Sequence, residues 1–239
     1  MKPDPGYPAR VRALYFEAPG RVAIREELLA PMKPAEALVR SRLIGISHGT
    51  ELLAFRGELP AELPADETLG SLPGTLSYPL KYGYINVGEA HTAQGPRRVF
   101  AFYPHQDWFC LPEAQLLPLP DGLSFDDAVF LANMETALGI VHDLAPRYGE
   151  TVLLVGQGVV GLLVAGILRE AGVDRIAVEP LALRREASRE LGCRVLDPAS
   201  GGVSEQVYGA TKGRGADLAV ECSGTAAGLQ LAVDCLAFE

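Results

Sequence analysis

Short apolar runs broken by proline and glycine fill the first half of the chain, and after residue 150 such runs alternate with helical stretches. Residues 13–16 and Arg21–Leu28 read as strands on either side of an Ala18-Pro19-Gly20 turn, and 37–46 as a longer strand. Ser47-His48-Gly49-Thr50-Glu51 follows and leads into a short helical stretch ending at Arg56. Residues 57–77 are rich in proline and glycine, and a loop of that length in a compact domain is usually functional or mobile. Strand patterns resume at 84–90, 99–102 and 108–111, so the first 120 residues predict an irregular β-barrel.

The second half has a different rhythm. Pro120-Asp121-Gly122 is a turn, and Ser124-Phe125-Asp126-Asp127 has the form of a helix N-cap with an acidic first turn. Helices are expected near 126–131 and 135–144. Thr151–Val155 is too short for a helix and apolar enough for a buried strand. Gly156-Gln157-Gly158-Val159-Val160-Gly161 then leads straight into an apolar helix that ends near Gly172. In such a G-x-G-x-x-G turn the first glycine allows the tight turn, the second lets a pyrophosphate approach the backbone, and the third lets helix and strand pack closely. The helix offers the phosphates its free N–H groups and the positive end of its dipole. A second strand at 175–178 ends in Glu179, 179 − 156 = 23 residues after Gly156; an acid about 20 residues on is the expected partner of the adenosine ribose hydroxyls. Further strands at Val195 and 217–220, with helices at 183–191, 203–208 and from 226 to the end, predict a parallel doubly wound sheet. Candidate cofactor contacts are Gly156, Gln157, Gly158, Val159, Val160, Gly161, Glu179 and Ser223, the last in the turn after the fourth strand.

Composition narrows the partners. A net charge of −9 argues against nucleic acid and anionic membrane surfaces. Residues 151–168 carry no charge, the lower limit for a membrane span. Four glycines and a glutamine inside that stretch fit a strand–turn–helix better than a lipid-facing helix. The four cysteines are scattered without a C-x-x-C, which suggests reduced thiols in a cytoplasmic protein. The N-terminus MKPDPGYPAR has no apolar signal core and reads as a loose tail.

A barrel followed by a helical link and a dinucleotide fold resembles the medium-chain dehydrogenase/reductase superfamily, the alcohol dehydrogenase-like enzymes. The resemblance covers nearly the whole chain and is strongest at GQGVVG and PLPDGLSFDDAVFLANMETAL. SHGTELLAFRGE, YPLKYGYINVGEA, VFAFYPHQDWFCLP and LANMETAL are most similar to the branch that includes bacteriochlorophyllide a dehydrogenase. The resemblance implies a GroES-like substrate and catalytic domain over residues 1–120 and an NAD-binding Rossmann domain over 121–239. Zinc-dependent members of the family hold their metal with a cysteine, a histidine and an acid or cysteine. The corresponding positions here are His48, Tyr84 and a place at or near Ala132. One ligand in three cannot hold a tetrahedral zinc with an open position, so the chain reads as zinc-free.

Without that Lewis acid, hydride transfer still needs a proton donor or acceptor at the oxygen. Thr50 aligns with the hydroxyl residue of the family's proton relay and is the first catalytic candidate. His48 can titrate near neutral pH, or it can satisfy a backbone carbonyl. Tyr84 can act on substrate or fill the vacated metal position, His105 is a weaker candidate, and Glu135 can cap a helix or orient a group in the cleft. His91 and His142 read as structural or exposed.

Three functions stay open at this point. The first is an NAD(H)-linked, zinc-independent oxidoreductase acting on a secondary alcohol or ketone. The second is an NADPH-dependent quinone or enone reductase, against which a carboxylate at Glu179 argues by repelling a 2′-phosphate. The third is a nucleotide-binding fragment without turnover. A complete fold orders its strands 3-2-1-4-5-6. Only four strands and one further helix can be counted after Thr151, so strands five and six are missing and the chain is expected to be C-terminally truncated. The fourth strand is then expected to present an apolar edge that invites aggregation or a homo-oligomer.

Overall fold

The computed structural model describes residues 7–65, 71–72, 74–92 and 94–238. Residues 1–6 of the expected N-terminal tail, and 66–70 and 73 of the expected long loop, lie outside them. The chain divides into two compact units, Met1–Leu131 and Ala132–Glu239.

The first unit is built from two sheets. β1 (Arg10–Ala18), β2 (Arg21–Leu28) and β4 (Leu80–Lys81) form one, in the order β2-β1-β4. β3 (Glu36–Gly45), β5 (Ile85–Thr92), β6 (Gly95–Ala101), β7 (Trp108–Pro112) and β8 (Leu117–Pro118) form the other, in the order β7-β3-β5-β6-β8. A bridge from Ala13 to Gln106 ties β1 to the segment before β7. Alternation along β3, β5, β6 and β7 turns Val39, Ala90, Val99 and Phe109 into one core. β1 begins at Arg10, three residues before the stretch that periodicity picks out, because Arg10 and Val11 pair with Leu28 and Glu27 across the hairpin. α1 (Thr50–Arg56) and α2 (Phe125–Ala128) complete the unit. Ser124 caps α2 as expected, its Oγ accepting from the Asp127 N–H at 3.0 Å.

α3 (Leu131–Leu144) runs four residues further toward the N-terminus than its sequence pattern suggests. Glu135 therefore stands exposed inside the helix and caps nothing. The second unit is otherwise an alternation of β9 (Thr151–Val155), α4 (Val159–Glu170), β10 (Asp174–Val178), α5 (Ala182–Glu190), β11 (Arg194–Leu196), α6 (Val203–Ala210), β12 (Leu218–Glu221) and α7 (Ala226–Asp234). The parallel order β11-β10-β9-β12 is the 3-2-1-4 half of a doubly wound sheet. Alternate residues of β9 serve opposite faces. Val152 and Leu154 pack with Val164, Ala165 and Leu168 of α4. Leu153 and Val155 pack with Val203 and Val207 of α6 and Ala232 of α7.

One expectation about the last helix needs correction. The last helix stops at Asp234; Cys235 caps it with right-handed helical angles, and Leu236 follows in a β-bridge. Ala216 N–H donates to Cys235 O and Ala237 N–H to Ala216 O, both at 2.8 Å, a parallel bridge beside β12. The bridge lies at Ala216, ahead of β12, and β12 itself (Leu218–Glu221) stands at the edge of the described sheet.

Candidate functional site

At the carboxyl ends of the parallel strands, register lines up Val155, Val178 and Glu221 in one row, with Gly156, Glu179 and Cys222 just beyond. Gly156 is held at φ +89°, and a Cβ there would lie 2.6 Å from Ser223 N and 2.8 Å from its Cα. Only glycine passes between β9 and the turn after β12. A Cβ on Gly161 would overlap the Gly156 carbonyl oxygen, so the third glycine seats α4 on the turn. Gly158 differs: a Cβ there would meet only Arg184 Nη1, at 3.9 Å. Gly158 is also the N-cap of α4 and makes no side-chain cap bond, so the positive end of a 12-residue helix stays open. Val159 is exposed beside it and Val160 packs toward the core.

Glu179 and Gln157 face inward. The Glu179 side chain is 2% exposed; its Oε2 accepts from Gln157 N–H at 2.7 Å and its Oε1 from Leu181 N–H at 2.8 Å. The carboxylate thus fastens the glycine turn to the end of β10. The Gln157 side chain is fully buried, donating to Gly156 O at 2.9 Å and accepting from Ser188 Oγ at 3.1 Å. It braces the turn against α5. Arg185 is committed as well, donating to Glu179 O at 3.0 Å and pairing with Asp197 at 2.8 Å. Arg184 is the arginine beside the glycine turn.

The turn after β12 is organised by Glu221, whose carboxylate accepts from Ser223 N–H at 2.7 Å, Gly224 N–H at 3.1 Å and the Ser223 hydroxyl. Ser223 is exposed on this edge. Burial, reinforced by the charge of Glu221, pushes the Cys222 thiol up to about 11, so it is protonated at neutral pH and no nucleophile.

In the first unit two of the catalytic candidates lie at the start of α1. Thr50 is its first residue and half-buried, and His48 is exposed in the turn before it. Tyr84 is half-buried just ahead of β5, its ring 6.4 Å from that of Tyr82. A buried pair that the sequence does not reveal lies here too: Glu51 and His105, with His105 Nε2 2.6 Å from Glu51 Oε2. They are 54 residues apart, and no periodicity links them. His142 is exposed, and His91 stacks on Trp108 with ring centroids 6.2 Å apart. Among the described residues no group of three His, Cys, Asp or Glu side chains can hold a metal ion, and no helix is long and apolar enough to cross a membrane.

Residues 159–239 match the family described as zinc-binding dehydrogenase. A probable diacetyl reductase [(R)-acetoin forming] of Saccharomyces cerevisiae is 30% identical over 131 residues, covering 53% of this chain and 31% of the yeast protein. The alcohol dehydrogenase TADH from Thermus sp. ATN1 superposes with a TM-score of 0.75 at 25% identity, over 95% of this chain and 74% of that one. A putative zinc-binding dehydrogenase from Sinorhizobium meliloti 1021, solved bound to NADP, reaches 0.80 at 21% identity, over 96% and 75%. The aligned stretches span 30–36% of the length of the first curated relatives. The second unit thus matches part of a zinc-binding dehydrogenase family, and the GroES-like barrel and Rossmann-type sheet of this chain are the fold of these solved dehydrogenases.

Proposed function

We propose that the protein is an NAD(H)-dependent oxidoreductase that moves a hydride between the nicotinamide and a secondary alcohol or ketone without catalytic zinc. The observation that carries this reading is the open N-terminus of α4 above Gly158, where neither a side-chain cap nor a neighbouring backbone fills the space a pyrophosphate needs. Alcohol and diacetyl or butanediol enzymes among the relatives support the substrate class.

The residues present fit the dinucleotide. Gly158 and the first amides of α4 would receive the pyrophosphate, with Arg184 supplying a positive charge beside it. Glu179 holds the turn and places a negative charge at the end of β10, where a 2′-phosphate would be repelled. Ser223 flanks the same edge of the sheet. The bound nicotinamide supplies the hydride acceptor. The first unit supplies the substrate side, with Thr50 as the relay hydroxyl and His48 and Tyr84 as the further candidates.

The residues do not fit a catalytic zinc. The three family ligand positions fall at His48, Tyr84 and at or near Ala132, and Ala132 lies buried in α3 with no donor atom on its side chain. No step is assigned to a metal. NADH is expected to bind at least tenfold more tightly than NADPH in fluorescence titrations. Equal or tighter NADPH binding would favour instead the quinone or enone reductase reading, for which a quinone oxidoreductase of Pseudomonas syringae pv. Tomato DC3000 shares the fold.

A further inference from the structure

Glu51 and His105 are the most deeply buried ionisable pair of the first unit among the described residues, with side chains 2% and 6% exposed. Glu51 is tied on both oxygens. Oε1 accepts from the Ser47 N–H at 2.8 Å, closing the turn that carries His48 and Thr50, and Oε2 faces His105 Nε2 at 2.6 Å. His105 is fixed through its backbone, its N–H donating to Tyr82 O at 3.2 Å and its carbonyl accepting from Leu14 N–H at 2.9 Å. Its ring rests on Gly83, where a Cβ would fall 2.6 Å from the imidazole. Nδ1 is buried and has no hydrogen-bond partner.

The chemistry of the pair follows from who can donate. A carboxylate only accepts, so the proton between the two groups sits on Nε2. Nδ1 then carries a lone pair in the interior with no donor facing it. Buried polar atoms without partners are rare in native folds, and where they occur they ask for a role. A carboxylate behind an imidazole fixes the tautomer and stabilises the imidazolium that forms when the far nitrogen takes a proton. Of the charged residues close to His105 in chain or strand pairing, Arg12 pairs with Asp107 at 3.0 Å and Lys81 with Glu27 at 2.8 Å.

We propose that the Glu51–His105 dyad is a proton acceptor for the reaction, an inference that rests on the zinc-independent alcohol–ketone reading above. In oxidation, the C–H bond of the alcohol breaks and its electron pair leaves with the hydride to the nicotinamide. The O–H bond breaks, and its proton passes through one water or hydroxyl to His105 Nδ1, leaving an imidazolium beside the Glu51 carboxylate. Reduction runs the same transfers backward, Nδ1 returning the proton to the carbonyl oxygen. His105 is nearly closed off from solvent, so it acts through that intermediary and not by touching substrate.

The full chain labelled with 15N-histidine tests this directly. The expected spectrum shows neutral His105 as the Nε2–H tautomer, gaining a proton at Nδ1 as the pH is lowered while the fold persists. The Nδ1–H tautomer, or a ring that never protonates in the folded chain, overturns the proposal. Glu51→Gln and His105→Gln are expected to lower kcat about 10²-fold and flatten one limb of the pH–rate profile, with NADH affinity within about twofold of wild type. Glu51→Asp, which keeps the charge, should recover part of the rate and the wild-type limb. Folded Glu51→Gln with unchanged kcat and pH profile sinks the dyad. If the wild-type chain turns over no alcohol or ketone, the functional reading fails on its own, and tautomer and Nδ1 protonation alone decide whether the pair accepts a proton.

Discussion

Gly156→Ala is expected to cost the Rossmann-type unit about 3 kcal/mol and to abolish measurable NADH binding. Two penalties add. The left-handed backbone at φ +89° is strained for any L side chain, and the new methyl would press on Ser223 N at 2.6 Å. Backbone cannot step aside as a flexible side chain can, so β9 and the turn after β12 must separate. Their separation undoes the row of strand ends on which the cofactor would lie. Gly158→Ala is the matched control. Its Cβ meets no protein atom closer than 3.9 Å, so the fold should hold while NADH binding falls at least tenfold, the methyl standing where the pyrophosphate would come. Urea unfolding and NADH titration of both variants measure this. A Gly156→Ala chain with a wild-type midpoint, or a Gly158→Ala chain with wild-type affinity, contradicts the assignment of the turn.

The second large effect is expected at Thr50. Thr50→Val keeps the shape of a half-buried residue at the start of α1 and removes only the hydroxyl. If that hydroxyl passes the proton, kcat should fall by about 10²-fold or more while NADH affinity stays unchanged. The separation is diagnostic, because Thr50 belongs to the first unit and the dinucleotide turn to the second. A loss confined to KM would recast Thr50 as a substrate-binding group, and wild-type turnover would remove it from the mechanism.

What the sequence disclosed depended on how local each signal was. The strand, glycine turn and helix around Gly156 are written in consecutive residues, and the observed 3-2-1-4 order follows from alternation alone, including a three-residue β11. β2 was legible to the residue because a turn precedes it and its pattern is unbroken. Boundaries failed where tertiary packing overrode pattern. α3 starts early because Ala132 buries against its surroundings, a fact with no periodic signature. The inward turn of Glu179 was also hidden: its spacing from Gly156 is that of a ribose-binding acid, but its two oxygens hold backbone amides. Gln157, read as a contact in the glycine turn, is a buried brace whose partner Ser188 lies 31 residues on. The Glu51–His105 pair was the least legible, since Glu51 looks like an ordinary acid in a helix's first turn until the fold brings His105 to it.

The central claim is metal-independent, NAD-linked turnover of an alcohol or ketone. It is tested most directly by following nicotinamide absorbance with a panel of secondary alcohols and ketones after exhaustive dialysis against a chelator, with the metal content of the same sample measured. The account predicts NAD(H)-linked turnover of at least one member of the panel, undiminished by the chelator, in protein without stoichiometric zinc. Turnover that vanishes on chelation and returns with zinc, or that occurs only with quinones and NADPH, would contradict it.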